Sequence, residues 1–482
     1  MPDFLHHAWR AVADIPHLES WLTAAWLLYL LVLGGWIVLQ KREPAATLSW
    51  LLSLAALPYL GFLIYFLLGP QKIKRQRLRR HRSRDGLDAA QARCPPDEAC
   101  TELALLGQAT TGLPPSSARA VRLLVDGGAT YDALLEAIAG ARNHVHLEYY
   151  IFEPDRIGTR VRDALVERAR AGVEVRLLLD AVGSAKVGAR FLQPLHAAGG
   201  HSAWFHPTRF RPFTRPWVNL RSHRKIAVID GRIGLCGGIN VTDAEDERVN
   251  PAAYRDLHMR LEGDVVRALQ QVFVEDWVYA CGHVPGDFAG TVLWQPDPGV
   301  GTVAAQVLAS GPDSDWEAIH RLQVASIHEA KRRVWLVTPY FVPGEAARMA
   351  LTSAALAGLD VRVVVPKRSD SRLVTWAARS YFDELLAARV KVYEYGPRLL
   401  HSKALLCDDN LALIGSANFD NRSFRLNFEV ALLYRDIGVA AELEAILAGE
   451  IAAAVPVGHD RSRSLLRQRL PEALARLASP LL

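Results

Sequence analysis

The sequence predicts an α/β fold of two duplicated halves, with mixed, largely parallel sheets packed together, preceded by an α-helical transmembrane hairpin. Three observations predict it. Two uncharged apolar runs open the chain, β-rich and Ala/Leu-rich stretches alternate from about Ala118 onward, and one polar motif occurs twice. The 482 residues suffice for about three units of roughly 150 residues each. Half of them are apolar and 22% are charged, which excludes disordered and low-complexity classes.

The apolar runs cover residues 21–40 and 47–69. Each is long enough to cross a hydrocarbon core of about 30 Å as a helix. No basic segment precedes the first run and a second follows at once, so a helical hairpin over residues 1–70 is predicted in place of a cleaved signal. Trp21, Trp26 and Trp36 suit membrane interfaces. Residues 71–117 are then a basic juxtamembrane linker: between Lys72 and Arg84 stand eight Lys or Arg and no acid, more than the whole net charge of +5. A basic excess confined to one patch beside an apolar run points to anionic lipid headgroups and not to nucleic acid, and the positive-inside rule puts the rest of the chain in the cytoplasm. The cysteines, Cys94, Cys100, Cys236, Cys281 and Cys407, are odd in number and lack CxxC spacing, so neither a disulfide framework nor a zinc cluster is predicted.

The first half is read as residues 118–290 and the second as residues 300–482. In the first, Val145 to Phe152 reads as a strand, Arg160 to Ala171 as a helix and Val173 to Leu179 as the next strand. Val334 to Phe341, a helix, and Gly358 to Val365 repeat that order, and Ala171-Gly172-Val173-Glu174-Val175-Arg176 matches Ala357-Gly358-Leu359-Asp360-Val361-Arg362. A period this long implies two similar halves and not a solenoid. The join falls in the Gly/Pro-rich stretch 285–301. The closing stretch from Arg461 to Leu482 is amphipathic and is expected to pack on the core rather than to anchor in a membrane.

The repeated motif is His223-Arg224-Lys225, then Asp230, Gly237-Gly238 and Asn240; and His401-Ser402-Lys403, then Asp408, Gly415-Ser416 and Asn418. With nine lysines against 47 arginines in the chain, two lysines placed alike after two histidines are not an effect of composition. The catalytic set is taken as His223, Lys225, Asp230, His401, Lys403 and Asp408. On a strand through Ile226–Ile229, His223 and Lys225 share a face, whereas Asp230 has the opposite parity and reads as a structural turn residue. Asp230-Gly231 is a type I′ hairpin signal, and a two-residue turn there pairs His223 with Gly238. Ser416 takes the same place opposite His401, across the weaker turn signal Asp408-Asp409-Asn410. Asn240, Asn418 and Ser416 are assigned to binding a substrate phosphate: imidazole, ammonium and carboxamide converge as a clamp for an anionic phosphoryl group. An ammonium beside each imidazole opposes a cation, so no metal is expected.

These residues resemble the phospholipase D superfamily and, within it, the bacterial cardiolipin synthases. The likeness runs over nearly the whole chain. It rests on the paired motifs, the amino-terminal hairpin, His146-Leu147-Glu148-Tyr149-Tyr150-Ile151-Phe152, Tyr254-Arg255-Asp256-Leu257-His258, Thr338-Pro339-Tyr340-Phe341-Val342-Pro343 and the closing Leu-Ala-Ser-Pro-Leu-Leu. The resemblance implies a carboxylate roughly thirty residues past each motif histidine to orient its imidazole: Asp256, 33 after His223, and Glu429, 28 after His401. It implies His223 as nucleophile, His401 as acid and base, no cofactor, a multi-pass place in the bacterial inner membrane, and phosphatidyl transfer between two phosphatidylglycerols to give cardiolipin and glycerol. A phospholipase D-type hydrolase, or a phosphatidyltransferase with another acceptor alcohol, is the alternative. The hairpin disfavours a nuclease, and two complete motifs disfavour an inactive scaffold.

Overall fold

Why the chain builds two sheets is visible in its burial pattern. Strand after strand is buried along its whole length, as in Lys225–Ile229, Leu411–Gly415 and His144–Tyr149, and such strands need cover on both faces. The structure, a computed structural model, describes residues 16–39, 44–57, 61, 101–207, 219–282, 288, 293, 300–459 and 463–479. The amino-terminal helices form one unit and the remainder another.

In the amino-terminal unit the helices are Leu18–Val38 and Pro44–Ala56. Ile37 and Leu54 are buried between them, packed by Leu30, Leu33 and Trp50. Leu28, Leu31, Val32 and Trp36 are exposed. Among the described residues no helix is long and apolar enough to cross a membrane. Most of the second apolar run beyond residue 57, the basic segment 72–84, Cys94 and Cys100 lie outside the described residues, as does most of 285–299.

The first sheet of the larger unit has the order Ala120–Val125, Leu257–Glu262, Ile233–Gly237, Lys225–Ile229, His144–Tyr149, Glu174–Asp180, His201–Phe205. The second runs Ser116–Ala118, Val303–Ser310, Glu429–Arg435, Leu411–Gly415, Ala404–Cys407, Arg333–Val337, Asp360–Pro366, Lys391–Tyr395, Ala454–Pro456. Each has a parallel part, His144–Tyr149 with its next two strands and Arg333–Val337 with its next two. All other pairs in both sheets are antiparallel, so the sheets are mixed but not largely parallel. The reason is local. The strands that pair in parallel are joined through helices, as parallel pairing requires; the motif strands are joined by tight turns and return antiparallel.

The inner faces meet in one core, where Ile226, Cys236 and Met259 of the first sheet join Trp335, Leu406 and Ile414 of the second, with helices Val265–Cys281 and Ile437–Ala452 alongside. Tyr434 Oη lies 3.2 Å from Met259 Sδ across this layer. Helices Asp126–Ala139 and Arg156–Arg170 cover the outer face of the first sheet, and Ala318–Glu329 and Glu345–Leu356 that of the second. The order of layers is α, β, β, α.

The expected linker 71–117 is corrected at its carboxy end. Helix Glu102–Thr111 and strand Ser116–Ala118 belong to the second half: Ser116–Ala118 pairs with Val303–Ser310, and Gln306 Nε2 donates to the carbonyls of Ala104 and Leu113. Leu103 is buried in the outer core of that half. An edge strand and an apolar helix face supply what a linker would lack.

Candidate active site

Each motif histidine enters its strand through a short segment that runs beside the other half. His223 N–H donates to the Phe428 carbonyl at 2.9 Å and Phe428 N–H to that of Arg221. His401 N–H donates to the Arg255 carbonyl at 2.7 Å and Arg255 N–H to that of Leu399. Phe428 and Arg255 immediately precede Glu429 and Asp256, so this backbone pairing delivers each acid to the opposite histidine. His223 Nδ1 is 3.0 Å from Glu429 Oε2, and His401 Nδ1 is 2.5 Å from Asp256 Oδ2. The expected pairing of Asp256 with His223 and Glu429 with His401 is therefore reversed. Spacing along the chain located both acids but is blind to which half they cross to.

Both imidazoles are nearly buried, and their pKa values are lowered: burial is the main cause for each, with Lys225 and Lys403 adding to it at His223 and Lys403 at His401. Burial opposes ionisation of the acids too, but cations outweigh it. Lys403 and His401 hold Asp256 below its ordinary value, and His223 and Lys225 do so for Glu429. An ionised carboxylate only accepts, so each Nδ1 carries the proton and each Nε2 is left for chemistry. Lys403 Nζ also approaches His401 Nδ1 at 2.7 Å. With that Nδ1 proton committed to Asp256, the ammonium has acceptors in Asp256 Oδ2 at 3.2 Å and in the His401 carbonyl.

Lys225 donates to the His223 carbonyl at 2.7 Å and lies 5.4 Å over the Tyr150 ring. Burial, reinforced by Lys403, brings its pKa down to about 8. Each lysine thus feels the other half's charges, which makes the two motifs one site. Tyr150 meets His223 edge-on at 5.0 Å between ring centroids, Tyr254 meets His401 at 5.2 Å and Tyr340 at 6.5 Å. All three tyrosines stand in segments that carry the resemblance, yet nothing in their spacing assigns them to the histidines. Arg224, fully buried, ties the halves by donating to Asp276 and to the carbonyls of Glu429 and Ser310.

The hairpin register differs from the expected one. The ladder pairs Ile229 with Ile233 and Ile226 with Cys236, and Cys407 with Leu411, so each loop has three residues. Asp230 and Gly231 do have the left-handed φ values of a type I′ turn, 54° and 61°, and Arg232 N–H donates to the Ile229 carbonyl, but pairing resumes one residue later. Gly238 and Ser416 consequently face the acid of their own half and not a histidine. A Cβ on Gly238 would stand 2.2 Å from Asp256 Oδ1. Ser416 Oγ instead donates to Glu429 Oε2 at 2.5 Å.

Three further assignments are corrected. Asp230 and Asp408 stand apart from the catalytic set at the far end of each hairpin, where Asp230 accepts from the N–H groups of Arg142, Asn143 and His144, and Asp408 from those of Lys331, Arg332 and Arg333. Each seats the start of a central strand. Asn240 is consumed by the protein, its Nδ2 donating to Glu245 Oε1 at 2.7 Å and its Oδ1 accepting from Ile151 N–H at 3.1 Å. Glu245, five residues on, is buried and its pKa is raised by that burial; the second half has Ser423 there, donating nothing to Asn418 but accepting from its N–H at 3.2 Å. Asn418 is left with a buried Oδ1 that meets no donor among the described residues.

Two imidazoles held by carboxylates beside two lysines, on a duplicated sandwich, equip this chain for phosphoryl transfer through histidine. Residues 134–277 and 324–450 match the family model described as cardiolipin synthase, PLD-like domain, and residues 22–70 match that of the phospholipase D-nuclease N-terminal segment. The chain is 39% identical to a cardiolipin synthase of a Geobacillus species over 92% of this chain and 91% of that one. It is 37% identical to cardiolipin synthase 2 of Bacillus anthracis over 94% and 90%. A crystal structure of phosphatidylserine synthase from Haemophilus influenzae superposes with a TM-score of 0.60 at 14% identity, covering 79% of this chain and all of that one, which shows a shared fold. The chain belongs to the cardiolipin synthase family of phospholipase D-like phosphatidyltransferases.

Proposed function

We propose that this enzyme transfers a phosphatidyl group from one phosphatidylglycerol to a hydroxyl of another, with His223 as nucleophile and His401 as acid and base. His223 Nε2 attacks phosphorus while His401 protonates the departing glycerol alkoxide; a phosphatidyl-histidine and free glycerol result. His401 then takes the proton of the incoming glycerol headgroup hydroxyl, whose oxygen displaces His223 and closes cardiolipin. The phosphodiester bond is conserved, and no nucleotide is spent. Lys225 and Lys403 stabilise the charge that grows on the phosphoryl oxygens. The observation that carries this reading is the crossed pair of histidine–carboxylate contacts, which commits both Nδ1 atoms and frees both Nε2 atoms.

We take residues 1–70 as a membrane hairpin that holds the enzyme at the inner membrane with the two halves, 118–290 and 300–482, on the cytoplasmic side; residues 101–117 go with the second half. The apolar runs, the basic segment between Lys72 and Arg84 and the amino-terminal family match support it. The test is lipid chemistry. With labelled phosphatidylglycerol as sole lipid, the full-length protein should release glycerol and form cardiolipin in equal amounts, and excess glycerol should drive the reaction backward. A product dominated by phosphatidic acid and indifferent to glycerol would make the enzyme a hydrolase.

A further inference from the structure

The end of the described chain turns its apolar side outward. Residues Leu465–Arg469 form a π-helical turn that continues into helix Leu470–Leu477. Leu466, Leu470, Leu474 and Leu477, spaced as one helical stripe, are 72%, 45%, 57% and 78% exposed, and Leu465 beside them 66%. The segment packs on the core as expected, but it does so through Glu472, Ala475 and Ser479, while the leucines that would make that contact face solvent.

The segment is nevertheless firmly seated. Arg463 bridges Asp383 and Glu472, Arg476 lies 4.5 Å over the Tyr381 ring, and Tyr381 Oη donates to Ser479 Oγ at 2.8 Å. It is also seated at the rim of the site. Asn421, three residues after Asn418, donates from Nδ2 to the Ser479 carbonyl at 3.0 Å. Helix Arg372–Arg379, which packs against it, starts two residues after Asp370, the acceptor for the Tyr340 hydroxyl whose ring meets His401. Arg467 and Arg469 are exposed beside the leucines.

We propose that this stripe docks on an anionic lipid bilayer, with the leucines in the boundary between headgroups and acyl chains and Arg467 and Arg469 against lipid phosphates. It deepens the reading above and rests on the substrate being drawn from a bilayer. A rigid helix with exposed leucines flanked by arginines matches a surface that is apolar below and negative above, and its position sets the His401 side of the site against the layer that holds the phospholipid. A second copy of the chain, which would bring the same arginines face to face, matches it less well.

The test uses the full-length protein with Leu466→Ser, Leu470→Ser, Leu474→Ser and Leu477→Ser combined. Turnover of phosphatidylglycerol in vesicles should fall by more than about tenfold, since four leucyl side chains leave the hydrocarbon. Turnover of a short-chain phosphatidylglycerol dissolved as monomers should stay within about twofold, because the site itself is untouched. Equal turnover on vesicles overturns the proposal, and so does loss on both substrates with an unchanged melting temperature. Failure of the unsubstituted protein to make cardiolipin from either substrate would instead strike the reading it rests on. A second measurement does not depend on that variant: Leu474→Cys carrying an environment-sensitive fluorophore, with Cys94, Cys100 and Cys281 changed to Ser, reconstituted in phosphatidylglycerol bilayers. Blue-shifted emission at low protein density supports docking. Solvent-like emission overturns it, as does a shift that appears only as protein density rises, which would assign the stripe to a second copy.

Discussion

Asp256 binds the imidazole of His401, not that of His223, although Asp256 and His223 lie in the same half of the chain. Glu429 binds His223 in return. Neither half holds a complete site. A histidine and the group that fixes its tautomer come together only when the two sheets pack, so assembly of the core and assembly of the dyad are one event.

The crossed pairing can be read by titration. Asp256 raises the affinity of His401 for a proton against the lowering by burial and Lys403. Asp256→Asn should therefore lower the His401 pKa further and leave His223 nearly unmoved, by NMR of ring-labelled histidine. Turnover should fall on the order of 10⁴-fold, as when a tautomer-fixing carboxylate is neutralised elsewhere. Movement of His223 in place of His401 would refute the pairing.

Gly238 and Ser416 occupy equivalent places but should respond differently. Gly238→Ala puts a methyl group against the Asp256 carboxylate, which has no room to retreat while it holds His401 and Lys403. Loss of turnover by at least about a hundredfold is expected, on the scale of misplacing a reacting group by an ångström. Ser416→Ala removes one donor from buried Glu429 and should cost about 1–3 kcal/mol of stability. Calorimetry and turnover together check both; equal, mild effects would show that the glycine is not a steric requirement.

The pH profile follows from two directions. His223 attacks unprotonated while His401 enters the first step protonated, and both are held below 6.5, so kcat/KM should peak below that value and fall above it as His401 loses its proton. Lys225 acts as the ammonium ion, and with its pKa brought down to about 8 the fall should steepen as pH rises through that value. Lys225→Arg should remove that second break even if the maximum is lower. A second break that stays in place would free Lys225 of that role.

Asp230 and Asp408 separate structure from chemistry. Each accepts three backbone N–H groups from a left-handed turn position, with φ of 54° and 53°. Asp230→Ala should lower stability by about 1–3 kcal/mol, since several donors lose their acceptor and the turn loses a residue that tolerates left-handed φ. Turnover per folded molecule should remain near normal. A folded but inactive Asp230→Ala protein would return the aspartate to the catalytic set.

What the sequence by itself determined is a polar constellation and its duplication. His223, Lys225, His401 and Lys403 are legible because the same residue types recur at the same spacing where the chain leads into strands Lys225–Ile229 and Ala404–Cys407. The two acids were legible as positions along the chain. What only the tertiary structure decided is how these parts meet. The partner of each histidine is set by backbone pairing between Phe428 and Arg221 and between Arg255 and Leu399, contacts across more than 140 residues that no local pattern encodes. The extra residue in each hairpin loop, which turns Gly238 and Ser416 toward the acids, depends on three N–H groups brought from a neighbouring strand to Asp230 or Asp408. The outward leucines from Leu466 to Leu477 have the spacing of a buried helix. An amphipathic period shows that one face is apolar, and only the packing of the other face against Tyr381 and Glu472's neighbours decides which side is left to the surroundings.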